Sequence, residues 1–115
     1  MAASNDAKNL MLDALLQGAA IYVSLHTADP GTTGAGEVSG GSYSRASSTF
    51  SVASNGQSSN TQQIVWTDLP GCTVTHCGVW RGSTFLFGAT LTQPRTLLAG
   101  DGFFFRPSTV VVQVP

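Results

Sequence analysis

From Gln63 onward the chain alternates short apolar runs with turn residues about every 8 to 12 positions, and this spacing is what most constrains its fold. Gln63 to Thr67 predicts a strand with Ile64 and Trp66 on one face, and Leu69-Pro70-Gly71 turns it. Cys72 to Trp80 predicts the next strand. It carries Val74, His76 and Trp80 on one side and Thr73, Thr75, Cys77 and Val79 on the other. Arg81-Gly82-Ser83 reads as a short hairpin connection, and Thr84 to Thr92 returns with Phe85, Phe87, Ala89 and Leu91 aligned. Pro94 and Ala99-Gly100-Asp101-Gly102 mark further turns, and Thr109 to Val114 predicts the last strand. Three consecutive phenylalanines, Phe103 to Phe105, cannot all point inward from a strand, so at least one reaches the opposite face. The expected fold is mainly β: a small antiparallel β-sandwich or barrel with one N-terminal α-helix and a long Gly/Ser-rich loop.

The first half is less regular. Ser4 to Gln17 predicts a helix capped by Ser4 or Asn5 and ended by Gly18. Ala7, Leu10, Met11, Ala14 and Leu15 form one apolar stripe, which Leu12 and Leu16 widen. Either its own domain or a partner subunit covers that stripe. Ile21, Val23 and Leu25 then alternate with Tyr22, Ser24 and His26, the period of a half-buried strand, and Asp29-Pro30-Gly31 stops it. The stretch from Asp29 to Asn60 is dominated by Gly, Ser, Thr and Asn. A loop of that length is uncommon inside a compact domain, so it is expected to hide a strand near Ser47 to Val52 behind a partner-facing arm. At 115 residues the chain reads as one domain: helix 1–18, first strand 19–28, loop or arm 29–61 and β-rich core 62–115.

Composition narrows the function classes. Charged residues are 10% of the chain, against about 25% in ordinary domains. The basic residues Lys8, Arg45, Arg81, Arg95 and Arg106 are scattered rather than clustered, which argues against a nucleic-acid footprint. No apolar run reaches the roughly 18 residues of a membrane span. Met1 to Asp6 lacks the layout of a signal peptide. Cys72 and Cys77 would face opposite ways on a regular strand, which predicts free thiols.

Chemical signatures are thin. His76 and Cys77 are neighbours on a strand and cannot pair, while Cys72 shares a face with His76 if the strand is regular. The order His26, Cys72, His76, Cys77 fits no common zinc spacing. Asp29 and Glu37 flank a loop without the alternating ligands of a calcium site, and no Lys-Ser or Lys-Thr follows Gly34-Ala35-Gly36 to make a phosphate cradle. Among aromatics that could stack on sugars, Trp66 and Trp80 read as core and Tyr43 as the surface candidate. No catalytic, metal or cofactor residues are expected.

The chain nevertheless resembles a known layout. A helix ending in glycine precedes Val23-Ser24-Leu25-His26-Thr27-Ala28-Asp29-Pro30-Gly31, then Thr33-Gly34-Ala35 and Glu37 to Arg45. Thr73 to Trp80, a strand ending Leu91-Thr92, and Ala99-Gly100-Asp101 follow. This is similar to small bacteriophage proteins of the tail-fibre-like, minor tail and capsid decoration type. The resemblance implies a non-enzymatic virion structural protein. The first expectation is a capsid decoration or cement subunit in symmetric copies on the capsid surface. The alternative is a tail-fibre or minor tail protein, with host-surface carbohydrate binding as a further option. The implied partners are copies of itself and the major capsid protein or tail proteins, with no nucleic acid and no membrane. Leu10, Met11, Leu15, Asp29, Pro30, Gly31, Glu37, Tyr43 and Arg45 form the expected partner interface.

Overall fold

A computed structural model describes residues 3–113. The N-terminal helix α1 spans Asn5–Leu16, and the Ser4 hydroxyl caps it by accepting from the Ala7 amide at 3.1 Å. Among the described residues eight strands follow: β1 Ile21–His26, β2 Ala46–Ser48, β3 Gln57–Ser59, β4 Ile64–Trp66, β5 Cys72–Arg81, β6 Thr84–Leu97, β7 Phe103–Phe105 and β8 Val111–Gln113. One antiparallel sheet has the order β2-β1-β5-β6, while β3 pairs with β8 and β4 with β7 in two-stranded ribbons. The mainly β fold with one N-terminal helix is the one expected. The predicted last strand extends to Val114, which lies outside the described residues.

The core forms where Ile21, Val23 and Leu25 of β1 and Val74 and Val79 of β5 meet Leu12 and Leu16 of α1, Ile64 and Trp66 of β4, and Val112 of β8. Ile64 and Trp66 share the inner face as expected. Phe104 is the phenylalanine that turns outward, half exposed between the less exposed Phe103 and Phe105.

Several expectations need correction. The buried helix positions are Leu12 and Leu16, whereas Leu10 is 73% exposed and Met11 43%. The packed face is a mixed one. Asn9 Oδ1 accepts from the Gly56 amide, Asp13 Oδ1 accepts from the Ala53 amide, and Gln17 Nε2 donates to the Phe50 and Ser51 carbonyls. Polar side chains that satisfy loop backbone choose the face, so an apolar stripe alone selects the wrong one. The hidden strand is β2, centred on Ser47 at the start of the expected Ser47 to Val52 span, and β3 lies later in the Asp29 to Asn60 stretch.

Strand β5 is not regular. Val74 pairs with Arg95 and His76 with Thr90, so Leu91 to Pro94 of β6 oppose Thr75 alone. This bulge flips the alternation: Val74 shares a face with Cys77 and Val79, not with His76 and Trp80. Cys72 therefore lies on the face opposite His76; both thiols are free, and Cys77 is buried. A second irregularity sets Phe87 opposite Val79 and Phe85 opposite Trp80, which splits the expected Phe85–Phe87 face. Pro94 marks no turn. It sits inside β6, the edge strand, where a missing amide donor is tolerated.

Candidate functional site

The second face of β1 was expected to meet water. Instead Ser24 and His26 are fully buried, because the segment after β1 folds back over that face. Pro30 and Gly31 begin this return. Asp29 Oδ1 accepts from the Gly31 amide at 2.9 Å, and the Pro30 carbonyl accepts from the amides of Gly34 and Ala35. Gly34 has φ +81° and lies flat against Trp80; a Cβ there would come within 2.6 Å of the indole. Gly78 leaves the matching space on β5, where a Cβ would meet the Ser24 hydroxyl at 2.6 Å.

A polar chain fills the space between loop and sheet. Trp80 Nε1 donates to Ser24 Oγ at 2.8 Å, and Ser24 Oγ lies 2.6 Å from His26 Nε2. His26 Nδ1 lies 2.8 Å from the Ala35 carbonyl, which only accepts, so the proton belongs on Nδ1. The Ser24 hydroxyl then donates to Nε2, and the imidazole is neutral. Burial pushes the His26 pKa down, outweighing the Ala35 hydrogen bond and the Glu37 charge.

Beside it, Tyr43 donates to Glu37 at 2.7 Å and accepts from the Leu25 amide at 3.0 Å. Arg45 grips Glu37 through Nε and Nη2, each at 3.0 Å, and its guanidinium stacks 3.4 Å above Trp80. Such a stacked cation contributes about 1 kcal/mol. Burial alone would raise the Glu37 pKa, but the bonds from Arg45 and Tyr43 outweigh it and hold it below the ordinary value. Burial, with the bond to Glu37, pushes the Tyr43 hydroxyl well above its ordinary value.

The structure thus brings Glu37, Tyr43 and Arg45 of the expected interface into one network, with Asp29, Pro30 and Gly31 forming the turn that leads into it. Tyr43, the expected surface aromatic, uses its hydroxyl inside the chain. Leu10 and Met11 stand outside this network on the exposed face of α1, while Leu15 packs partly against the core. In this network Ser24 donates to His26 in the way a nucleophile meets a base, but both are sealed from solvent and offer a substrate no access. Its chemistry is that of a latch. Among the described residues no cluster of three metal-ligating side chains forms.

Sequence reasoning missed Asn60, which is 1% exposed. Its Nδ2 donates to the carbonyls of Gln62 and Arg106, and its Oδ1 accepts from the amides of Thr109 and Val110. It fixes the approach to β8 from a loop whose composition gives no signal for it.

The family model described as Podophage GP4 fiber I protein gp80 matches residues 2–113, and no curated protein matches the chain. A match over nearly the whole length identifies the chain as a member of this family of phage fibre proteins and as a virion-associated structural protein.

Proposed function

We propose that the chain is a non-enzymatic subunit of a phage tail fibre, present in several copies and in contact with itself and with other tail proteins. The observation that carries this reading is the fibre-family match across residues 2–113. It favours the fibre over the capsid decoration role expected first from the sequence. The low content of charged residues, 10%, suits a surface that lies against other subunits. Leu10 and Met11 on α1 remain open to a neighbour, as do Asp29 and Gly31 at the turn after β1. The arm beyond that turn, by contrast, is folded onto its own sheet by the Glu37–Arg45–Trp80 contacts.

The test is genetic. Deleting the coding sequence should give particles with filled heads and no fibres in negative-stain micrographs, with fibres restored by the gene supplied in trans. Fragile or leaking heads with fibres intact would overturn the fibre reading and favour the decoration role.

A further inference from the structure

A surface concavity lies away from the latch, between the bulged part of β6 and the β7–β8 region, with a volume of about 420 Å³. That lies within the range of roughly 300–1,000 Å³ typical of small-ligand sites. Thr90, Thr92, Gln93 and Arg95 line one bank and Phe104 the other. The bulge is what builds the first bank. Setting Leu91 to Pro94 against Thr75 alone breaks the ladder, and bulges of this kind re-aim side chains beside binding sites. The break and Pro94 also disfavour addition of a peptide strand to this edge, which leaves side chains as the recognition groups.

The chemistry of those side chains is specific. Phe104 is 49% exposed although it is aromatic, while its neighbours Phe103 and Phe105 pack against Trp66. Hydroxyl and amide groups stand opposite it. Arg95 is the one charged residue of the lining among the described residues, and none of their carboxylates faces the groove. The ion pair found among the described residues joins Arg45 to Glu37, so Arg95 has no carboxylate partner among them. An aromatic face suits the C–H face of a sugar ring, hydroxyl and amide side chains suit its hydroxyl rim, and an uncompensated guanidinium suits a carboxylate.

We infer that the groove between the β6 bulge and Phe104 is a binding site for an acidic saccharide. The inference deepens the fibre reading by giving the fibre a ligand. Its test is separate, because binding is measured on the purified chain and fibre assembly on the particle.

The full chain is titrated with tetramers of galacturonate and of glucuronate, a neutral galactose tetramer and a tetraglutamate peptide, following backbone amide signals by NMR. Both acidic sugars should shift the signals of residues 90–95 and 103–105, and added salt should weaken them. Arg95→Gln and Phe104→Ala should each lower affinity about tenfold, while Lys8→Gln leaves it unchanged. Both altered side chains are exposed, and unmoved signals elsewhere report an intact fold. No shift with either acidic sugar at millimolar concentration would overturn the inference. So would equal affinity for the galactose tetramer, or for tetraglutamate, which would mark an acidic-peptide site instead.

Discussion

His26 concentrates the electrostatics of the latch. Its two ring nitrogens already have partners, Ala35 and Ser24, and the Ser24 oxygen already accepts from Trp80. A proton on Nε2 would force the Ser24 hydroxyl to find another acceptor in a site without water access. The charged and titratable groups around it are Glu37 and Arg45 on the folded-back loop, Tyr43 on the same loop, and His76 opposite it on β5. The His26 pKa is lowered from 6.5 and the Glu37 pKa from 4.5. In both cases the unfolded chain binds protons more readily, so their contributions are fully present above those ordinary values and are lost as pH falls. Tyr43 acts in the opposite sense: raised from 10.0, its contribution holds below that pH and is lost above it. Thermal unfolding should therefore show a stability plateau near pH 7 to 9, with Tm falling first below about 6.5. His26→Gln should flatten that first fall; an unchanged acid limb in this variant would show that His26 does not control it.

At the scale of elements, α1 is held by groups it does not itself supply. Its last turn carries no basic residue, yet the Arg81 guanidinium of β5 donates to the carbonyls of Ala14, Leu15 and Gln17 at 2.8–3.2 Å. These are carbonyls at the helix end, so a strand supplies the C-terminal cation. Arg81→Met keeps the stem and removes the donors, and should lower stability by about 2 kcal/mol in urea unfolding; a loss below about 0.5 kcal/mol would mean that water replaces the guanidinium without penalty.

The same elements show what a sequence can reveal. Strands β1, β4 and β5 and the helix follow from local period and turn residues. The face that α1 buries does not, because Asn9, Asp13 and Gln17 bind loop backbone some 33 to 47 positions away in sequence. The bulge at Thr75 is invisible for a similar reason: alternation continues in the residue pattern while pairing with β6 slips. Of the candidate interface, Glu37, Tyr43 and Arg45 were legible as a group only through family resemblance, and their inward orientation depends on Trp80 of β5 and the Leu25 amide of β1. Asn60 is a long-range hub, and neither composition nor spacing marks such a role.

At the scale of the whole molecule, the latch turns a glycine-rich stretch into a fixed layer over the sheet, and the exposed apolar side chains Leu10, Val52, Val65 and Leu98 remain on the surface. A weakly charged exterior with such side chains is suited to repeated contacts between copies, where many weak interfaces add through avidity. In the proposed account these contacts build a fibre, the latch keeps each subunit rigid, and the β6 groove faces the ligand. Immunogold labelling of intact virions with an antibody to this chain tests the central claim most directly. Gold confined to fibres at the tail is the result the account predicts, and gold spread over the head would contradict it.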